Sequence, residues 1–111
     1  MSVNITVLVQ SKDCEIVQTV QKVSQNARTI IDKCTACNTT GGILTISINL
    51  IAAAGGAAAS SNLTSKTKSI PAGETYTFPE IVGQYLMPGD SISTIASGSG
   101  ITLRICGREN T

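Results

Sequence analysis

Four cysteines are the residues whose type and spacing come closest to a chemical site. Cys34 and Cys37 form a C-x-x-C pair that could join Cys14 and Cys106 as four zinc ligands. A strong zinc signature has two such pairs, and residues i and i+3 of a strand point to opposite faces. We therefore interpret the cysteines as reduced packing residues, with a zinc site and a redox pair as the alternatives, and expect no metal or cofactor.

Catalytic machinery is hard to assemble from the remaining residues. The sequence contains no histidine, which excludes Ser-His-Asp and Cys-His sites built within this chain. The carboxylates mostly stand singly beside predicted turns, where solvated side chains are the ordinary interpretation; they are Asp13, Glu15, Asp32, Glu74, Glu80, Asp90 and Glu109. A Gly-rich phosphate-binding loop with its lysine is also missing. We expect no catalytic residues, and hence a protein that is not an enzyme.

Composition narrows the remaining classes of function. The 111 residues suffice for one domain, residues 1–111, and only 14% of them are charged, with a net charge of +1. Because charge repulsion between copies is weak and the polar residues are mostly uncharged, the sequence suggests a surface that partners normally cover. The cations are scattered and nearly balanced by acids, so we expect no nucleic-acid binding. No membrane-spanning stretch or export signal is predicted, which implies folding in the cytoplasm.

Period-two alternation predicts strands that position all of these residues. The inner-face residues are expected to be Leu44, Ile46, Ile48 and Leu50 in a central strand and Ile101, Leu103 and Ile105 in the last, whereas Val3, Ile5, Val7 and Val9 are expected to share one face of the first strand. Thr45, Ser47 and Asn49 should then face outward. Tyr76 and Phe78 are expected on the inner face. Residues 15–23 alternate less cleanly and predict a strand with a bulge.

Two similar phrases, SIPAGETYTF from Ser69 and LMPGDSISTI from Leu86, mark turns that lead into strands. Proline fixes φ and glycine allows a positive φ, so each phrase predicts a turn rather than a ligand site. About eight short antiparallel strands result, which favours an all-β, two-sheet, jelly-roll-like sandwich over a closed barrel. The small-residue stretch 52–62 is predicted to be a long loop joining the sheets, and residues 91–107 a closing hairpin.

The second half resembles small β-sandwich virion proteins of tailed bacteriophages. The residues that carry the resemblance are CNTTGG, IPAGETYTFPEI, LMPGDSIS and the final GITLRICG, within about residues 28–108. Length and layout look most like the capsid decoration (cement) proteins of short-tailed phages of the epsilon15 type. The resemblance implies a jelly roll that lies as a dimer on the outer capsid surface, with the major capsid protein and a second copy as partners.

Partner contacts are expected on edges and loops of such a sandwich. Residues 1–6 are predicted to be an N-terminal arm, and a strand bearing two lysines is predicted to be a sheet edge protected by charge. The predicted contact residues are Ser2, Val3, Asn4, Ile5, Thr6, Lys66 and Lys68. Two alternatives stay open: a tail, neck or fibre component of a virion, and a carbohydrate-binding module, which the absence of tryptophan disfavours.

Overall fold

The computed structural model describes residues 3–53 and 57–110, which fold as two antiparallel sheets packed face to face. Nine strands form in this part of the chain: β1 Val3–Asp13, β2 Thr19–Val23, β3 Arg28–Asn38, β4 Leu44–Ile51, β5 Leu63–Ile70, β6 Thr75–Thr77, β7 Tyr85–Leu86, β8 Ser91–Ala96 and β9 Ile101–Asn110. A 3₁₀ turn at Ser60–Asn62 precedes β5. The predicted all-β, two-sheet sandwich is confirmed, with slightly more strands than the eight expected.

The chain passes repeatedly from one sheet to the other. Sheet I has the order β1-β9-β3-β6, with the short β7 also pairing with β3, and sheet II has the order β2-β8-β4-β5. First and last strands are thus neighbours, and all pairings are antiparallel. This is the double-sheet arrangement of a jelly-roll-like sandwich.

The core lies between the two sheets and follows the predicted alternation in most strands. Ile46 and Ile48 of β4 are fully buried, as are the three predicted residues of β9, Ile101, Leu103 and Ile105. Phe78 is buried, and its ring meets the half-buried Tyr76 edge-on with centroids 4.8 Å apart. The sequence prediction of these inner faces is confirmed.

The first strand departs from its predicted alternation. Val3 and Ile5 are exposed, whereas Leu8 and Val9 are both buried. The cause is a register shift between Val7 and Val9 in the β1–β9 ladder, because an extra residue in one strand exchanges the faces on either side of it. The prediction that Val3, Ile5, Val7 and Val9 share one face was therefore wrong.

The outer face of β4 is covered, contrary to expectation. Ser47 and Asn49 point away from Ile46 and Ile48, yet both are buried. Ser47 Oγ accepts a hydrogen bond of 2.8 Å from the Thr67 backbone N–H. Asn49 Nδ2 donates to Asn62 Oδ1 at 2.7 Å and to the Ala59 carbonyl at 3.1 Å. The chain that leads into β5 thus lies over this face.

Two predicted connections were also wrong. The segment 52–62, of which residues 54–56 lie outside the described part, joins β4 to its neighbour β5 in the same sheet rather than joining the two sheets. The strands β8 and β9 belong to different sheets and form a corner instead of a hairpin. Alternation predicts an inner face for both strands in either case, so it does not distinguish a hairpin from a corner.

The two repeated phrases form turns, as predicted. Gly73 and Gly89 have φ values of 74° and 92°, and the following residues donate their N–H groups to the carbonyls of Pro71 and Met87 at 3.1 and 2.9 Å. A positive φ at the third position is the feature that selects glycine in such turns.

Candidate partner-binding surface

The predicted contact residues lie at opposite edges of the sandwich. Residues 3–6 are the beginning of β1, an edge of sheet I, where they pair with β9 instead of forming a free arm. Ser2 lies outside the described residues. Lys66 and Lys68 lie on β5, an edge of sheet II as predicted. An ion pair of 3.2 Å between Lys22 and Glu109 joins β2 to β9, the neighbour of β1, so the β2 and β1 edges lie on one side of the sandwich. The β5 and β6 edges lie on the opposite side.

The β5 edge is occupied by contacts within the chain. Lys68 Nζ lies 4.3 Å from the centroid of the Tyr76 ring on β6 and so bridges the two sheets. Ser65 Oγ donates to Glu80 Oε2 at 2.8 Å, and the Tyr76 hydroxyl lies 3.4 Å from Glu80 Oε1. Lys66 is exposed beside Thr67, whose positive φ of 42° interrupts the strand. Such an edge is poorly suited to pairing with another strand.

The β1 edge differs from the other edges of the described sandwich. Residues 3–10 contain no charged side chain, and residues 3–7 are paired regularly with β9. By contrast, β6 and β7 span three and two residues, and β2 has five residues with Lys22 and the predicted bulge. Natural sheets usually blunt their edges by shortness, charge or irregularity. The first half of β1 has none of these protections and is suited to contact with a partner.

A row of side chains, exposed except for the half-buried Ile30, crosses the outer face of sheet I beside this edge. Directly opposed residues of antiparallel strands share a face, and the ladder partners in this row are Ile5, Arg108, Ile30 and Tyr85. Ile5 is 88% exposed and Tyr85 is 69% exposed. Ile31 and Leu86, which follow Ile30 and Tyr85 in the chain, are buried. Because successive residues of a strand point to opposite faces, the row lies on the outer face.

A cleft of about 490 Å³ lies beside that row. Its lining residues are Val3, Arg28, Thr29, Ile30, Tyr85, Met87, Arg108 and Asn110. Val3 was among the contact residues predicted from the sequence, whereas Tyr85 and Met87 were not. No local signal could have found them, because β7 spans two residues and its place beside Ile30 depends on long-range pairing.

Positive charge flanks the cleft. Arg108 forms a two-pronged ion pair with Asp32, in which Nε and Nη2 each lie 3.1 Å from a carboxylate oxygen. Arg28 is exposed and forms no ion pair with the residues that the structure describes. Asn110 adds a buried Oδ1 without a hydrogen-bond partner in the same part of the chain.

The cysteines occupy the positions that the strand geometry predicted. Cys34 is buried with Ala36, whereas Cys37 is half-buried on the other face, so the C-x-x-C pair does not converge. Burial raises the pKa of the Cys34 thiol to about 12, and burial also raises the pKa of Cys14. All four thiols are free, and among the described residues no cluster of three or more metal-binding side chains forms.

Several carboxylates hold turns, as their positions in the sequence suggested. Asp90 accepts backbone N–H bonds from Ala53 and Met87, both at 3.0 Å. Asp13 accepts from Ser99 Oγ and the Gly100 N–H, also at 3.0 Å, and thereby fixes the corner between β8 and β9. These groups act in local structure.

Comparisons with known proteins do not assign the chain to a family. Family models, characterised proteins and solved structures give no match to the chain. Within residues 3–53 and 57–110, no helix is long and apolar enough to cross a membrane.

Proposed function

We propose that this chain is a structural virion protein that binds the outer surface of an assembled phage capsid and stabilises it. The resemblance to decoration proteins supplies the virion assignment, with the major capsid protein as partner. The observation that carries a binding role is Ile5, 88% exposed in the uncharged first part of an edge strand, residues 3–10. An exposed apolar edge of this kind is a liability unless another chain covers it.

The apolar side chains near this edge can contribute substantial binding free energy. Val3, Ile5, Tyr85 and Met87 are all exposed on the β1 side or the outer face of sheet I. Burying a large apolar side chain stabilises by about 1.5–3 kcal/mol, while association costs roughly 4–15 kcal/mol. The contact that a single copy makes is therefore weak. Binding becomes strong when many neighbouring sites on a lattice are engaged together.

The same edge supports a two-fold dimer. If two β1 strands pair antiparallel about Ile5, then Val3 lies opposite Val7 and Asn4 lies opposite Thr6 of the second copy, so the contact is self-complementary. A two-fold axis perpendicular to the joined sheet leaves both outer faces on the same side. A dimer of this form presents two equivalent faces to one shell.

Binding to capsids that lack the protein tests the proposal. The wild-type chain, Ile5→Lys and the matched control Ile43→Lys are added to such shells, and bound copies and the temperature of shell rupture are measured. Ile43 is also exposed, but it immediately precedes β4 of sheet II, whereas Ile5 lies in sheet I. We expect wild type and Ile43→Lys to bind and raise the rupture temperature, and Ile5→Lys to bind weakly.

The other outcomes are equally informative. Binding without a gain in shell survival would contradict the stabilising role and favour display or adhesion. Absence of binding by the wild-type chain would overturn the capsid assignment and favour the neck or tail.

A further inference from the structure

The cleft on the outer face of sheet I has a composition that selects one kind of ligand. Its apolar floor is supplied by Val3, Ile30, Tyr85 and Met87, and among the described residues that line it the charged ones are Arg28 and Arg108. A volume of about 490 Å³ lies in the ordinary range of roughly 300–1,000 Å³ for ligand sites. The cleft therefore combines apolar contact with a preference for negative charge.

The two guanidinium groups flank the same side chain. Arg28 lies two residues before Ile30 on β3 and so shares its face, while Arg108 lies directly opposite Ile30 on β9. Asp32 engages two of the five N–H donors of Arg108, and Arg28 has no acidic partner among the described residues. An anion over Ile30 could accept hydrogen bonds from both arginines.

Asn110 adds a requirement for a donor. This residue lines the cleft and is the ladder partner of both Val3 and Arg28. Its Oδ1 is buried and accepts no hydrogen bond from residues 3–53 or 57–110. A buried acceptor without a partner is unfavourable, so a ligand that brings an N–H group satisfies it. Backbone amides of a peptide provide such a donor.

We propose that the cleft binds an extended peptide segment of the capsid partner, in which an acidic residue stands beside large apolar side chains. The carboxylate lies between Arg28 and Arg108, the apolar side chains cover Ile30 and Met87, and a backbone N–H reaches Asn110. This inference rests on the proposed function, because the proposed function supplies the partner from which the segment comes. The inference adds the chemistry by which that partner is recognised.

Short peptides test the cleft without any capsid. The probes are acetyl-Gly-Leu-Asp-Phe-Gly-amide, its Phe-Asp-Leu reversal and the matched peptides with Asn or Lys in place of Asp, titrated into isotope-labelled protein and followed by amide chemical shifts. We expect shifts at Arg28, Ile30 and Asn110 with the acidic peptides only. Arg28→Gln should weaken their binding about tenfold, whereas Lys66→Gln, which removes an exposed cation on the opposite edge, should not.

Each contrary result overturns the inference. These results are no binding by either acidic peptide, equal binding of the Asp and Asn peptides, or equal weakening by the two variants. Backbone spectra of both variants confirm that the sandwich is intact, since both side chains are exposed. Capsid binding without peptide binding would remove this inference alone, while peptide binding without capsid binding would remove only the proposed capsid assignment.

Discussion

Ile5 and Arg108 face each other directly across the β1–β9 ladder. An aliphatic side chain that is 88% exposed thus lies beside a guanidinium group already held by Asp32. The register shift after Val7 places Val3 and Ile5 on the outer face, and Arg108, as the ladder partner of Ile5, lies on that face too. Their juxtaposition connects the uncharged edge to the arginine-flanked cleft.

The register of β4 predicts unequal losses of stability at adjacent positions. Ile46→Ala should lower the free energy of unfolding by about 2–5 kcal/mol, because it leaves a cavity in a fully buried site. Thr45→Ala, at a half-buried position on the other face, should cost less than about 1 kcal/mol. Denaturant titration measures both. Equal losses would show that the register is shifted by one residue.

Ser47 should contribute more to the free energy of unfolding than is usual for a side chain that points away from the core. Ser47→Ala removes the acceptor of the Thr67 N–H at a buried position and should cost about 1–3 kcal/mol. Ser69→Ala, an exposed serine of β5, provides the matched control and should change stability by less than about 0.5 kcal/mol. If denaturant titration gave the same small loss for both variants, the burial of Ser47 under β5 would be contradicted.

The thiols should react in two groups. Under native conditions a thiol reagent should modify the half-buried Cys37 and Cys106 first, because the raised pKa of Cys34, about 12, and of Cys14 leaves little thiolate at either buried site. In denaturant, all four cysteines of the sequence should titrate without prior reduction. Stoichiometric bound zinc, or unfolding by a chelator, would contradict this account.

Glu15 predicts a small dependence of stability on pH. Hydrogen bonds from Lys12 and Gln21, both at 2.8 Å, lower the pKa of its carboxyl group below the ordinary value. A depressed pKa in the folded state contributes stability that is present above the unfolded pKa and lost as pH falls through the folded pKa. Glu15→Gln should thus cost up to about 1 kcal/mol at pH 7, discounted for solvent exposure.

Thermal unfolding of Glu15→Gln at pH 7 and at pH 2–3 measures this effect. The difference from wild type should disappear at the lower pH. Glu74→Gln, at an exposed turn residue, is the matched control and should show little difference at either pH. A deficit for Glu15→Gln that persists at low pH would mean that the charge of Glu15 is not its cause.

Much of the fold was predictable, because it depends on local patterns. Alternation identified the buried faces of β4 and β9, and the Pro-Gly turns before β6 and β8 followed from φ preferences. Strand pairing is a long-range property, so neither the corner at Asp13 nor the burial of Asn49 could be read locally. The candidate surface was predicted only in part: Ile5 was among the predicted contact residues, but alternation placed it on the same face as the buried Val9, and Tyr85 and Met87 were missed.

Hydrogen exchange of the backbone amides, compared between free protein diluted until it is monomeric and protein bound to capsids, tests the central claim most directly. The claim is that partners engage the β1 edge and the outer face of sheet I. We expect added protection at residues 3–7 and at Tyr85–Leu86 on binding, with little change along Leu63–Ile70 of the lysine-bearing edge. Protection confined to Leu63–Ile70, with residues 3–7 exchanging as in the free protein, would contradict the claim.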